Sequence, residues 1–520
     1  MKSATIRLYQ QLHTWTGIVA GFALFIAFYA GAITVFHEDI AVWQSPATRN
    51  APIERIDDAG QRIAAFHATH PELKGQFAMM LPSHHDPALT AWWFDAGTGA
   101  WQHRALAQIE QGRPPAPQAD LAELVNELHF SLGLPVAGIW LMGIVSLLYG
   151  LALVSGLLVH LPLLAKDLFA LRPGRNLKRF WQDAHNVIGV LSLPFHLMFA
   201  VTGAVFCLYG VVFALFNYGV TEGKLATEFE PATSAVVTRP LAGQPAAMLD
   251  PVTLLARVRT VAPDMEANWL RYINYGDRNA TVEVRGASPD TLGPYGGVGV
   301  DMVSGEVLKS EVPGQRTVNQ AVLGDTYGLH FGSFGGRLVQ WLYFVLGLAG
   351  AFLFYSGNLL WIEARRKRQA PAQQLKTWRM AQATVGVCIG SCAAVSAAFV
   401  ATMVAHAFGA DPAVWARVAC FASFALLLLW SFLRPPARAA FELLSVAALL
   451  SALIPLSNGI ATGDHLFVTA VRGEWVVFGI DAMGLGLAAG FAALARATRR
   501  RARDGQANSV WAGAAPPAMA

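Results

Sequence analysis

Two histidines in this sequence stand at matching positions in separate apolar stretches. His13 is followed by Gly17, and His185 is followed by Gly189 at the same interval. The same register aligns Gly31 with Gly203. A histidine inside apolar sequence is a functional candidate, because polar and ionisable side chains are expensive to place in a membrane.

A second pair of histidines follows the same rule. Leu128-His129-Phe130 corresponds to Leu329-His330-Phe331, and Trp140 and Trp341 each stand eleven residues after the histidine. The register also aligns Ser155-Gly156 with Ser356-Gly357. Several matches in one register indicate an internal repeat, in which equivalent residues face each other across an axis along the membrane normal.

Two neutral imidazoles on opposite helices can hold a b-type haem, and they leave no iron position open to oxygen. The repeat therefore predicts an inner haem held by His13 and His185 and an outer haem held by His129 and His330. His160 and His196 are the alternative ligands. His160 stands at the inner end of the second apolar segment, and His196 stands deeper in the third, but the repeat matches neither with a histidine.

The elements that must position these histidines are membrane spans. The chain has 520 residues, of which 54% are hydrophobic and only 14% are charged, against about 25% charged in a typical soluble domain. Eight segments reach the roughly 20 apolar residues that a span needs. They are 14–36, 134–160, 186–216, 338–362, 380–406, 413–433, 439–460 and 475–495.

Charge predicts how these spans are oriented. If the amino terminus is cytoplasmic, the segments left inside carry 20 of the 38 lysines and arginines. The long insertions 37–128 and 217–329 carry 15 basic and 25 acidic residues and are predicted to face the periplasm. We therefore predict a multi-pass protein of the bacterial inner membrane with both termini in the cytoplasm.

The insertions each contain a helix, then strands, then a glycine turn that begins with an aspartate. In the first insertion the helix spans 59–67 and the strand 89–94, and in the second the helix spans 250–258. The second insertion has predicted strands at 269–275, 281–285 and 298–302. The predicted fold is an α-helical polytopic membrane protein of about eight spans, with two small α+β periplasmic insertions and a parallel repeat in the first four spans. The predicted order is 1–36 (amino terminus and first span), 37–128, 129–216 (second span, cytoplasmic loop and third span), 217–329, 330–365 (fourth span), 366–495 (four further spans) and 496–520 (cytoplasmic tail).

The histidine motifs resemble those of the PepSY-associated transmembrane family. The similar residues are Leu12-His13 with Trp15 and Gly17, Leu128-His129, Trp181 with His185 and Gly189, Leu193-Pro194, and Leu329-His330-Phe331-Gly332. The resemblance covers about residues 1–365, and the second insertion resembles a PepSY module. The four additional spans are similar to the longer, iron-regulated members, which include inner-membrane ferric-siderophore reductases with two haems. The resemblance thus implies two b-type haems and a ferric siderophore as substrate.

Two other classes of function are compatible with the sequence. A transporter or permease for siderophore or iron could use the histidines and Asp481 for protonation, and a PepSY-type regulatory protein could inhibit an extracellular protease. No dinucleotide-binding glycine motif follows a strand and opens a helix, so the electron donor is predicted to be quinol or a separate flavoprotein. The net charge of +4 gives no indication of nucleic-acid binding.

Overall fold

The computed structural model describes residues 3–70, 73, 75–95, 97–113, 118–161, 177–366, 373–505 and 509–512. Some predicted features lie outside the described residues. They are most of the predicted cytoplasmic loop (162–176), residues 114–117 of the first insertion, the basic residues Lys367 and Arg368, and much of the carboxyl-terminal tail (506–508 and 513–520).

The described helices are numbered along the chain. They are α1 (Ser3–Thr34), α2 (His37–Trp43), α3 (Ala59–Thr69), α4 (Leu106–Glu110), α5 (Leu121–Ser131), α6 (Ala137–His160), α7 (Leu177–Leu191), α8 (Leu193–Gly219), α9 (Leu225–Thr233), α10 (Pro251–Val261), α11 (Val318–Phe331), α12 (Gly336–Ala364), α13 (Leu375–Thr384), α14 (Gly390–Phe408), α15 (Pro412–Leu433), α16 (Pro436–Thr462), α17 (Leu466–Arg472) and α18 (Trp475–Asp504).

The prediction of eight spans is confirmed for the described part of the chain, in which eight helices are long and apolar enough to cross a membrane. They are α1, α6, α8, α12, α15, α16 and α18, and the continuous helix formed by α13, a π-helical turn at Val385–Ile389 and α14. The four cysteines, all in these spans, are buried and unbonded to one another.

The third predicted span, 186–216, is divided between two helices. α7 ends at Leu191 and α8 begins at Leu193. The break fits Pro194, which has no N–H to donate to a carbonyl one turn earlier. His185 therefore lies on α7, whereas His196 lies on α8.

The seven strands are β1 (Gln76–Met80), β2 (Thr90–Asp95), β3 (Ala100–Ala105), β4 (Glu266–Ile273), β5 (Thr281–Ala287), β6 (Tyr295–Asp301) and β7 (Val307–Glu311). They form one antiparallel sheet in the order β3-β2-β1-β4-β5-β6-β7. β1 of the first insertion pairs with β4 of the second, with Ala78 opposite Arg271. The sequence predicts two insertions, and the structure shows that they share a single sheet.

Helices α3 and α10 bury their apolar faces against this sheet. Ile63 and Phe66 of α3 and Leu254 and Val258 of α10 belong to one core with the strands. Both predicted turns are present: Asp95 accepts a hydrogen bond from the Gly97 amide (2.8 Å), and Asp301 accepts from the amides of Val303 and Ser304 (2.9 Å each).

The chain divides into two compact units. The helical unit comprises residues 1–46, 117–209 and 341–520, and the sheet unit comprises 47–116 and 210–340. In the helical unit, buried apolar residues of α1, α5, α6 and α14 share one core, with Phe28, Leu124, Val145 and Phe399 among them. His13, His129, His185 and His196 lie in the helical unit, whereas His330 lies in the sheet unit.

Candidate functional site

The structure brings His13 and His185 together. Their ring centres lie 6.1 Å apart, with the ring planes at 77°. Nδ1 of His13 lies 2.8 Å from the carbonyl oxygen of Ala152 on α6. Nδ1 of His185 lies 3.1 Å from Oγ of Ser356 on α12. Each ring is therefore fixed through Nδ1 to a neighbouring span.

The hydrogen bonds also determine which nitrogen of each ring carries the hydrogen. A carbonyl oxygen can only accept, so Nδ1 of His13 donates to Ala152. Ser356 Oγ donates to the carbonyl oxygen of Leu353 (2.9 Å) and so accepts from Nδ1 of His185. Nε2 of both rings then keeps its lone pair, the form in which an imidazole binds a metal.

The distance between the ring centres is compatible with a metal ion between the two rings. Imidazoles bound on opposite sides of one metal, through bonds of about 2 Å, have ring centres about 6 Å apart. The observed separation is 6.1 Å. Within the described residues, no hydrogen bond involves Nε2 of His13 or His185. A bis-histidine haem is therefore compatible with this pair.

Glycines at the contact points allow each histidine ring to lie close to the backbone of another span. A Cβ atom at Gly156 would lie 2.9 Å from Cε1 of His13, and one at Gly357 would lie 3.5 Å from Cε1 of His185. The first distance is too short for any side chain. Gly156 follows Ser155 and Gly357 follows Ser356, so each histidine lies against the glycine of a Ser-Gly pair in another span.

His129 is held against α1 in a similar way. Its Nδ1 lies 2.8 Å from the carbonyl oxygen of Ala27 and therefore donates to it. A Cβ atom at Gly31, one turn further along α1, would lie only 2.6 Å from this Nδ1. His129 thus shares with His13 a tautomer whose lone pair is on Nε2.

The sequence placed His129 at the start of the second span, and the structure corrects this. His129 lies on the separate helix α5, because Leu132, Gly133 and Val136 have positive φ angles and interrupt the helix before α6. His330 also lies on its own helix, α11, which ends where Gly332 adopts the left-handed conformation. α12 begins only at Gly336.

His330 belongs to the sheet unit. Its ring centre lies 5.3 Å from that of Phe331. α11 packs closely on the loop between β5 and β6, since a Cβ atom at Gly328 would overlap the carbonyl oxygen of Leu292. Pairing between His129 and His330 joins the two units and stays a prediction.

His196 has different surroundings from the other candidates. It is fully buried, and its Nδ1 lies 2.6 Å from the Tyr149 hydroxyl, while Nε2 has no hydrogen-bond partner among the described residues. No second histidine ring contacts it in the described part of the chain. His160 is the half-buried last residue of α6, and its role as an alternative ligand stays a prediction.

An aromatic cluster from α1, α6, α8 and α12 surrounds His196. The ring of Phe28 lies 5.7 Å from His196, 5.7 Å from Tyr149 and 5.1 Å from Phe354 between centres. Phe28 can enter because residue 350 is glycine, where a Cβ atom would lie 2.4 Å from the Phe28 ring. No sequence pattern pointed to Tyr149 as a partner of His196.

The model of the PepSY-associated transmembrane region matches residues 10–364. The chain belongs to the PepSY-associated transmembrane family. The match includes all four predicted haem ligands and both alternatives, and it ends with the last residue of α12. The uncharacterized protein PA4219 of Pseudomonas aeruginosa is 26% identical over 287 residues, which are 53% of this chain and 70% of that protein.

Outside the residues matched by the PepSY-associated family, the helical unit contains a buried carboxylate. Asp481 is fully buried and accepts hydrogen bonds from Trp43 Nε1 (2.9 Å) and Asn458 Nδ2 (2.8 Å). Because Trp43 is on α2 and Asn458 on α16, Asp481 connects α2 to the last spans. These contacts give the carboxylate a structural role.

Proposed function

We propose that this protein is a haem-dependent reductase of the bacterial inner membrane, which passes electrons across the bilayer to a ferric siderophore. The observation that carries the proposal is the separation of 6.1 Å between the rings of His13 and His185. Both rings have Nε2 in the metal-binding form. A bis-histidine haem supplies reversible one-electron chemistry and leaves no coordination position for oxygen.

The proposal includes a parallel repeat in the first four spans. His13 contacts α6 through the carbonyl oxygen that Ser155 also contacts, at 3.1 Å. His185 contacts α12 through Ser356, whose hydroxyl bonds to the equivalent carbonyl oxygen. The aligned sets are Ala152, Ser155 and Gly156 in the first half and Leu353, Ser356 and Gly357 in the second. The two histidines have different Nδ1 partners, but the serine-to-carbonyl hydrogen bond beside each of them is the same, and this supports the repeat.

A second haem site is proposed at His129 and His330. His129 is fixed to α1 at Ala27, fourteen residues after His13, which corresponds to about 21 Å along a helix. Two sites at different depths suit transfer through about 30 Å of hydrocarbon. Phe28, which belongs to the aromatic cluster, directly follows Ala27 on α1.

The proposed substrate follows from the family resemblance and from the chemistry of iron. Ferric ion is hard and is tightly held by siderophore oxygens, whereas ferrous ion is held less firmly. One electron converts Fe(III) to Fe(II) and leaves the chelator intact. The acidic insertions would face the periplasm and favour neutral or cationic complexes, with quinol or a separate flavoprotein as donor on the other side.

The alternative classes are a transporter and a PepSY-type regulatory protein. The transporter hypothesis uses the histidines and Asp481 for protonation, and the hydrogen bonds from Trp43 and Asn458 give Asp481 a structural explanation. Neither alternative needs haem. An absorption spectrum of the purified protein therefore separates both from the reductase.

The test uses the full-length protein in detergent. We expect a strong Soret band and two b-type haems per chain. His13→Ala and His185→Ala should each lose one haem, whereas the control His84→Ala, at an exposed position of the sheet unit, should retain both. A wild-type protein without a Soret band, or alanine variants that keep both haems, would contradict the proposal.

A further inference from the structure

The spans that follow the family-matched region contact the short helix α5, which carries His129. The main contact is made by Arg417 of α15. Its Nε and Nη2 donate to Oδ2 of Asp120 at 2.9 and 2.6 Å. Its Nη1 and Nη2 donate to the two carboxylate oxygens of Glu127 at 2.6 and 3.1 Å. One guanidinium therefore bridges two carboxylates.

These two carboxylates lie seven residues apart, about two turns along α5. Asp120 immediately precedes the helix, and Glu127 lies two residues before His129. Arg417 thus fixes both the start of α5 and the turn that carries the histidine. The planar guanidinium can serve both partners at once, which the single ammonium group of a lysine cannot do with the same geometry.

A second contact from α15 lies just beyond the end of α5. The ring of Phe421, one turn after Arg417, lies against Gly133, where a Cβ atom would be 2.6 Å from Cζ. Gly133 also has a φ of +69°, so a larger residue would be both strained and obstructed. α15 therefore contacts the chain both before His129, at Glu127, and after it, at Gly133.

Helix α14 reaches α5 through Gln44, just after α2. His406 Nε2 lies 2.8 Å from the carbonyl oxygen of Gln44. The Gln44 side chain donates to the carbonyl oxygen of Ala119 and accepts from the amide of Ala122, both at 2.9 Å. The first turn of α5 is thus attached to the later spans by a hydrogen-bond network independent of Arg417.

We infer that Arg417 is a positioning residue for His129 and that the later spans fix the depth of the outer haem ligand. The inference rests on the proposed role of His129 as a haem ligand. α5 meets α1 through the His129–Ala27 hydrogen bond and the Gly31 contact, and Arg417 contacts it from α15. Loss of Arg417 would leave two neighbouring carboxylates without their shared cation, which is strongly unfavourable in a partly buried site.

The experiment compares full-length Arg417→Met with Arg438→Met. Arg438 also pairs with a glutamate, Glu442 (2.8 Å), but its side chain is 62% exposed. Haem potentials and electron paramagnetic resonance spectra are measured for both variants. We expect Arg417→Met to shift or remove the signals of one haem and to leave the other unchanged, with partial recovery in Arg417→Lys. Unchanged signals for both haems in Arg417→Met would overturn the inference.

Amide hydrogen exchange supplies a readout that does not depend on haem. Residues 121–131 should exchange about tenfold faster or more in Arg417→Met than in wild type, and α16 should be unaffected. If the wild-type protein contains no haem, the proposed function fails, but this measurement still decides whether Arg417 holds α5. Unchanged exchange in α5 would overturn the inference.

If Arg417→Met does not accumulate, the triple variant with Asp120→Asn and Glu127→Gln removes the uncompensated charges as well. It should fold and should still show faster exchange in α5. A triple variant with wild-type exchange and wild-type haem signals would again overturn the positioning role.

Discussion

The Tyr149 hydroxyl and Nδ1 of His196 are 2.6 Å apart, in the aromatic cluster formed by four spans. The described residues offer the phenol hydrogen no other acceptor, so Tyr149 donates and the imidazole hydrogen is on Nε2. This tautomer is the reverse of that in His13 and His129, whose Nδ1 atoms donate to carbonyl oxygens. His196 is therefore the weaker candidate for an iron ligand.

Tyr149→Phe should lower the thermal stability of the protein and leave its haem content unchanged. Among the described residues, the variant removes the one hydrogen-bond donor to Nδ1 of buried His196, a loss that typically costs about 1–3 kcal/mol. Tyr343→Phe is the matched control, because Tyr343 is a tyrosine of α12 whose hydroxyl lies 3.8 Å from the sulfur of Met198. Thermal unfolding and the Soret absorbance of both variants provide the measurement. Loss of haem from Tyr149→Phe alone would restore His196 as a ligand.

Gly156→Ala should reduce haem binding more than Gly357→Ala. A Cβ atom at 156 would lie 2.9 Å from the His13 ring, so that ring must move, whereas a Cβ atom at 357 makes an ordinary contact of 3.5 Å with His185. Gly150→Ala is the control, since its nearest neighbour would be 3.9 Å away. The ratio of haem to protein should fall by about one haem in Gly156→Ala only. Equal ratios in Gly156→Ala and Gly150→Ala would count against His13 as a ligand.

Asp277 should stabilise the loop before it in a pH-dependent way. Amide hydrogen bonds, first from Asn279 and then from Ala242 and Gly243, lower the pKa of the Asp277 carboxyl. Because the pKa is lowered in the folded state, the stabilisation is present at neutral pH and is lost as the pH falls through the carboxyl range.

The pH effect can be measured by hydrogen exchange of residues 239–244. Asp277→Ala should accelerate exchange at pH 7, and the difference from wild type should shrink at acidic pH. Asp290→Ala, at an exposed position, is the control. A difference between Asp277→Ala and wild type that grows towards acidic pH would contradict the assigned sign.

The protein is reconstituted in sealed vesicles with the sheet unit outward, and its haem is reduced. External ferric siderophore should then reoxidise the haem. The proposed orientation places the acidic insertions and the outer haem on that side. The measurement is the rate at which the reduced haem spectrum disappears after mixing, with a gallium siderophore, which cannot accept the electron, as control. Reoxidation only by ferric siderophore trapped inside the vesicles would show that the orientation or the outer site is wrong.

Local patterns were sufficient to predict the spans and the His13–His185 pair. The eight apolar segments have the length that membrane spans need. The repeat was an expectation from the register of the two histidines, and the contact between His13 and His185 followed from that expectation. Their Nδ1 partners did not, because a backbone carbonyl and a serine hydroxyl leave no distinctive mark in a sequence.

Contacts between distant parts of the chain account for what the sequence did not predict. Pairing of β1 with β4 depends on strands in different insertions, and either strand alone is compatible with a separate module. The separate helix α5 is set by positive φ angles at Leu132, Gly133 and Val136, of which only the glycine favours this conformation. Arg417 was a missed signal, since an arginine inside an apolar span calls for a partner.

The pairing of β1 with β4 also imposes an order on biogenesis. β1 is synthesised before α6, and its partner β4 only after α8 has emerged from the ribosome. Until then the edge of β1 exposes unpaired backbone groups, which are prone to pairing with other chains. The first insertion must therefore wait with this edge unpaired until the second is made, so that closure of the sheet depends on the folding of α6 and α8 between them.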